Sequence, residues 1–164
     1  MLIRSFRPDD LPTLKRIMVE AFRGVSIDEA TERLFGPING HDWQWRKARH
    51  LDEDLLHDPH GIFVAEIEGQ IVGFISRWQD HDAGIGHIPN LAFVPEWRGK
   101  GLGRRLIDYA LGDFRRSGLT HAKIETLEQN AIGTHLYTSP GFREVARQIH
   151  FVCKLAESEA NDQP

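Results

Sequence analysis

The stretch Asn90-Leu-Ala-Phe-Val-Pro-Glu-Trp-Arg-Gly-Lys-Gly-Leu-Gly-Arg-Arg-Leu106 restricts the fold more than any other part of the chain. Its first half reads as a buried strand that runs into a proline turn. Its second half opens a helix from Gly101 to Arg116, with Leu102, Leu106, Ile107, Ala110, Leu111 and Phe114 on one face and Gly118 as the stop. The loop between them holds Gly99, Gly101 and Gly103. A loop of this kind aims unpaired backbone N–H groups at one point, and the helix dipole adds partial positive charge there. Glycine matters because a side chain would hold an anion away from the backbone. Arg98, Lys100, Arg104 and Arg105 add charge around the same point. The stretch asks for a phosphate or a pyrophosphate, although glycine-rich turns also occur without ligands.

The rest of the chain supplies the layers around this unit. Residues 2–6 read as a short first strand, and Asp9 or Asp10 as the cap of a helix with Leu11, Leu14, Ile17, Met18, Ala21 and Phe22 inward. Ser26 and Glu29 have capping-box spacing before a second helix, and a more polar third helix runs from about Asp42 to Leu56. From residue 61 the period changes to two, giving a hairpin that turns at Glu68-Gly69. Residues 87–94 form the strand of the glycine unit, with Pro89 marking a bulge or an edge. Ala122 to Leu127 is a strand, Asn130 to Thr138 a short helix, and Phe142 to Leu155 one or two closing strands. The sum is an α/β chain of the α+β type, a single domain over residues 1–156 with a mixed central sheet of about six or seven strands flanked by helices. Residues 157–164 are expected to be a disordered polar tail.

Composition narrows the function. At 164 residues the chain suits one domain with one sizeable core. A net charge of −4 argues against a nucleic-acid partner, which usually meets a basic stripe. No apolar run approaches the ~20 residues of a membrane span. Cys153 is the only cysteine, and Met1-Leu2-Ile3-Arg4 lacks the pattern of a secretory signal, so a cytoplasmic setting is expected. Nine histidines, among them His57, His60, His81 and His87, invite a metal reading, but none shows a tight ligand spacing and no metal is expected. Nucleotide loops fit no better. There is no G-x-x-x-x-G-K-S/T run, and no G-x-G-x-x-G with a ribose-binding acid at the next strand end.

Two blocks resemble the GNAT superfamily of acetyl-coenzyme A-dependent N-acetyltransferases. Its signature, Gln/Arg-x-x-Gly-x-Gly/Ala after an apolar-Ala-apolar strand end, is matched by Arg98-Gly99-Lys100-Gly101-Leu102-Gly103 after Leu91-Ala92-Phe93. A second block, Asn130 followed by Tyr137 and then Gly141-Phe142, stands in the same order as in that family. The resemblance covers about Phe63 to Leu155, and the N-terminal helices match only in kind.

The resemblance implies a single GNAT domain that transfers the acetyl group of acetyl-CoA, its cosubstrate, to a primary amine on a small molecule or a peptide. Backbone groups of Leu91 and Phe93, flanking Ala92, would pair with the pantetheine arm like an added strand. The N–H groups from Gly99 to Arg104 would hold the pyrophosphate. Asn130 would bond the pantetheine or fix the loop, and it equally caps the next helix. Tyr137 occupies the general-acid position and would protonate the leaving thiolate, its alternative being a core aromatic. Glu125 occupies the position used as base in acetyltransferases of ribosomal-protein N-termini, its alternative being a solvated strand carboxylate. His87 is its competitor. Homodimers occur in the superfamily, and no residue here specifies an interface.

Two further readings stay open. The same fold can serve as a coenzyme A-binding regulatory module without turnover. Asp28, Glu29, Glu32, Asp52, Glu53 and Asp54 either form an acidic rim for a cationic acceptor or are solvated helix faces.

Overall fold

The computed structural model describes residues 1–155. The tail expected at residues 157–164 lies outside the described residues. Chain order is β1 (Leu2–Ser5), α1 (Leu11–Ala21), α2 (Ile27–Phe35), α3 (Trp43–His57), β2 (Ile62–Ile67), β3 (Gln70–Asp80), β4 (Ile85–Phe93), α4 (Leu102–Arg116), β5 (His121–Ile124) and α5 (Ala131–Thr138), with single 3-10 turns at Pro8–Asp10 and Pro95–Trp97. The strands form one sheet in the order β1-β2-β3-β4-β5. The first three junctions are antiparallel, and β4–β5 is parallel. The parallel pair needs a crossover, which α4 supplies.

Alternation along the strands builds two cores. Ile62, Val64, Phe74 and Ala92 face α1 and α3 and pack with Leu14, Ile17, Met18 and Leu51. Phe63, Ala65, Ile75 and Phe93 face the other side, against Leu106, Ile107, Ala110 and Phe114 of α4. The β2–β3 hairpin turns through Glu68 and Gly69, both at positive φ, the handedness that a two-residue turn requires. Asp42 caps α3 by accepting from the N–H of Trp45 at 2.8 Å.

Three expectations are corrected. The sheet has five strands rather than six or seven, because Phe142 to Leu155 forms no strand. Apolar alternation makes a strand only where backbone groups meet a ladder. Among the described residues this segment joins none, and Val145, Ile149, Phe151 and Leu155 stay exposed. Asp10 does not cap α1: its carboxylate takes Arg4 at 2.7 Å and 3.0 Å and the N–H of Arg7 at 2.7 Å. The capping box at Ser26 is half formed. Ser26 Oγ accepts from the N–H of Asp28, while the Glu29 carboxylate accepts from the N–H of Gly24.

Candidate active site

The site begins where β4 and β5 part. Their parallel pairing runs from Ile85↔His121 to Ile88↔Ile124 and stops, while β4 continues to Phe93. A bulge in β4 sits at the same place, since Arg77 alone of β3 lies opposite Ile88 and Pro89. This is the irregularity that Pro89 announces. Beyond the bulge, Asn90 N donates to Ser76 Oγ at 3.1 Å and Val94 N donates to Val72 O at 2.9 Å, so even-numbered residues address β3. By alternation the N–H groups of Leu91 and Phe93 address the open side. The carbonyl of Phe93 is occupied: Arg98 Nε donates to it at 3.0 Å and ties the loop to the strand end.

The glycine loop follows. Gly99 and Gly101 hold φ of +71° and +74°, the left-handed region in which a side chain is strained. Space around both is open, since nothing lies within 4 Å of where a Cβ would stand. The first helical bond of α4 is from Arg105 N to Gly101 O at 3.3 Å. Among the described residues, no partner accepts from the N–H of any residue from Gly99 to Arg104. Consecutive unpaired donors at a helix start make a concave anion site. Gly103 plays a different part. A Cβ there would stand 3.0 Å from Leu136 of α5 and 3.9 Å from Leu91, so this glycine lets α4, α5 and β4 close on one another.

The basic side chains around the loop are less free than the sequence suggests. Arg104 Nε bonds both carboxylate oxygens of Asp108 at 2.9 Å, and its Nη1 donates to Ser139 Oγ at 3.3 Å. Lys100 lies over the Trp97 ring at 4.4 Å. Leu102 packs against the α4-side core.

Helix α5 carries the second block. Asn130 Oδ1 accepts from the N–H of Gly133 at 3.1 Å, so the capping role is present, and its Nδ2 donates to Thr126 Oγ1 at 2.9 Å. Tyr137 packs against the α4-side core, and burial pushes its phenol up to about 12. The hydroxyl therefore stays protonated at neutral pH. Glu125 is 69% exposed and pairs with Lys123 Nζ at 2.6 Å. His87 stacks on Trp78, its register partner in β3, with ring centroids 3.7 Å apart and planes 6° from parallel. The structure thus brings Leu91, Gly103 and the Leu136–Tyr137 turn together, and leaves Glu125 at the surface.

One cluster went unread in the sequence. Asp54 of α3 is buried, and its carboxylate accepts from Asn90 Nδ2 at 2.8 Å. Lys47 is buried too, donating to Asn90 Oδ1 at 3.2 Å, with His50 Nδ1 at 3.3 Å and the Phe22 ring at 3.9 Å. Burial lowers the Lys47 ammonium to about 8 and raises the Asp54 carboxyl. The signal was available: Lys47, Leu51 and Asp54 share the buried stripe of α3 at helical spacing. The acidic rim loses four of its six carboxylates on the same facts. Asp54 is inside, Asp28 and Glu32 meet Arg46, and Asp52 meets Lys15 at 2.7 Å. Among the described residues no three His, Cys, Asp or Glu side chains gather as a metal set, and no helix is long and apolar enough to cross a membrane.

Comparison with known proteins decides the family. Residues 25–142 match the family model described as the acetyltransferase (GNAT) family. The chain belongs to the GNAT family. A relative from Archaeoglobus fulgidus, an uncharacterized N-acetyltransferase, is 34% identical over 116 residues, covering 68% of this chain and 71% of its own. The mycothiol acetyltransferase of Thermobispora bispora is 33% identical over 107 residues, 61% of this chain, which spans only 36% of that relative. Among solved structures, the PaiA N-acetyltransferase of Thermoplasma acidophilum in complex with coenzyme A superposes with a TM-score of 0.69 at 21% identity, covering 87% of this GNAT chain and 89% of its own. The ribosomal-protein-S18-alanine N-acetyltransferase of Escherichia coli does so at 0.66 and 20%, covering 88% and 79%. At these identities the two structures show a common fold.

Proposed function

We propose that this GNAT chain transfers the acetyl group of acetyl-CoA to a primary amine by direct attack. The observation that carries the reading is the run of N–H groups from Gly99 to Arg104 that have no partner among the described residues, set beside the open edge of β4. A pyrophosphate suits the first, and an extended amide-bearing arm suits the second as an added strand. The match to N-acetyltransferase relatives and the coenzyme A held by the Thermoplasma neighbour support the same ligand.

The chemistry needs a neutral amine, a polarised carbonyl and a proton for sulfur. An amine with pKa ~10.4 is neutral in about one molecule in 2,500 at pH 7, which costs ~4–5 kcal/mol. A base near the acceptor offsets part of that cost. The resemblance offers Glu125, exposed and paired with Lys123, or His87 for that role. Tyr137 supplies the hydroxyl for sulfur. Full transfer from a phenol near 12 to an ordinary thiolate near 8.5 runs uphill by ~5 kcal/mol. The desolvation that raises the phenol raises a thiolate beside it as well, which narrows the gap.

Calorimetric titration with acetyl-CoA, and separately with ATP, tests the ligand. Saturable binding of acetyl-CoA without ATP binding is expected. Incubation with polyamines, amino acids, aminoglycosides and peptide N-termini, followed by mass spectrometry, tests the transfer. Binding without any acetylated product would favour the coenzyme A-binding regulatory module instead.

A further inference from the structure

We propose that Lys47 and Asp54 of α3 are positioning residues for acetyl transfer: they clasp the Asn90 side chain from both ends and so hold the edge of β4 along which the acetyl-bearing arm lies. The proposal rests on the acetyl-transfer reading above and adds residues that never touch the reacting atoms.

The strand needs a hold at this point. On one side its pairing with β5 has ended at Ile88↔Ile124, and on the other the bulge opposite Arg77 breaks the ladder with β3. Asn90 is the first β4 residue beyond the bulge to pair with β3 again, opposite Ser76, and its N–H donates to Ser76 Oγ at 3.1 Å. By alternation the N–H of Leu91 then addresses the open side. The peptide unit that carries this N–H begins at Asn90. Whatever fixes Asn90 therefore aims the first donor of the open edge.

Asn90 shares a sheet face with Ala92, which packs against α1 and α3. Facing it, Lys47 and Asp54 stand two turns apart on the buried stripe of α3. Lys47 Nζ donates to Asn90 Oδ1 at 3.2 Å, and Asp54 Oδ2 accepts from Asn90 Nδ2 at 2.8 Å. All three residues are buried. The amide thus lies between a cation at its oxygen and an anion at its nitrogen. Turned over, it would set its NH₂ against the ammonium and its oxygen against the carboxylate, so a single orientation is selected.

As a source of stability the arrangement is poor. Burial lowers the Lys47 ammonium to about 8 and raises the Asp54 carboxyl, although hydrogen bonds from Ser76 and Asn90 oppose that rise. Apolar side chains beside Leu51 would fill the stripe without this cost. They would not orient an amide. Direction matters at such an edge, because a misplacement of ~1 Å can cost about 10²-fold in rate.

The test uses the 164-residue chain and whichever amine of the panel above is turned over, under conditions where chemistry limits. Asn90→Leu and Lys47→Met are each expected to lower kcat by about 10²-fold. Calorimetry should show unchanged coenzyme A affinity, since the glycine loop is untouched. Asn90→Asp sets two carboxylates together and is expected to slow turnover as far. Adding Asp54→Asn to Asn90→Asp exchanges the two groups: the amide at position 54 donates to the carboxylate at position 90, and Lys47 keeps an acceptor. This double variant is expected to recover most of the wild-type kcat. A role in stability alone would lower Tm and leave the kcat of folded protein as it was. In the wild-type protein, NMR is expected to show the Asn90 side-chain amide exchanging with solvent far more slowly than that of exposed Asn39. This readout stands if the variants do not fold. Four results would each overturn the proposal and leave acetyl transfer intact: unchanged kcat in Lys47→Met, a double variant no faster than Asn90→Asp, coenzyme A affinity that falls in step with kcat, or an Asn90 amide that exchanges as fast as that of Asn39. Acetyl-CoA binding with no amine acetylated by the wild type overturns both.

Discussion

Replacing Lys47 with methionine separates a charge held at a cost from a charge that stabilises. In the fold Lys47 donates to Asn90 Oδ1 at 3.2 Å and lies over Phe22, yet burial brings its ammonium from 10.5 down to about 8. The displacement corresponds to ~3 kcal/mol of ionisation penalty below pH 8. The sign follows from proton counting. Between pH 8 and 10.5 the unfolded chain holds more protons at this site than the folded one, so stability rises with pH across that window. Lys47→Met removes the penalty and leaves Asn90 Oδ1 without its donor, a loss of ~1–3 kcal/mol. The two effects nearly cancel at pH 7, and only the wild type should climb afterwards. Urea unfolding at pH 7, 8, 9 and 10 measures this. Tyr137, raised to about 12, acts above the range. A wild-type curve flat from pH 8 to 10, or a Met variant that climbs equally, refutes the burial argument.

Tyr137→Phe should keep coenzyme A affinity and slow turnover by about 10²–10⁴-fold under conditions where chemistry limits. It should also abolish a loss of stability between pH 10 and 12, since a phenol raised on folding stabilises fully below 10 and loses that contribution as pH rises through its folded value. Gly101→Val should cost ~1–2 kcal/mol of stability for a side chain at φ +74° and abolish coenzyme binding, read by thermal unfolding and calorimetry. Glu32→Gln should leave kcat/KM and its salt dependence unchanged, because Arg46 already meets this carboxylate at 3.4 Å; a drop in kcat/KM would restore the acidic rim.

The sequence was most legible where backbone requirements fix residue type. The glycine loop, the Glu68-Gly69 turn and the bulge at Pro89 each demand a residue with special φ or without an N–H, and all three appear where the sequence places them. Patterns that need a partner were less secure. The alternation from Val145 to Leu155 is a strand pattern with no ladder among the described residues. Charged residues misled for the opposite reason. Asp54 and Lys47 count as surface by type, and only their spacing with Leu51 betrays the buried stripe. Gly103 reads in the sequence as room for an anion, and the structure adds a packing role against Leu136.

Amide hydrogen exchange with and without acetyl-CoA tests the central claim most directly. Among the described residues the loop donors from Gly99 to Arg104 have no partner, and by alternation the N–H of Leu91 addresses the open side of β4. They should exchange fast alone and slow together on saturation with acetyl-CoA, while the core of α4 beyond Leu106 stays as it was. Binding that leaves these amides fast, and protects another part of the surface, would contradict the account.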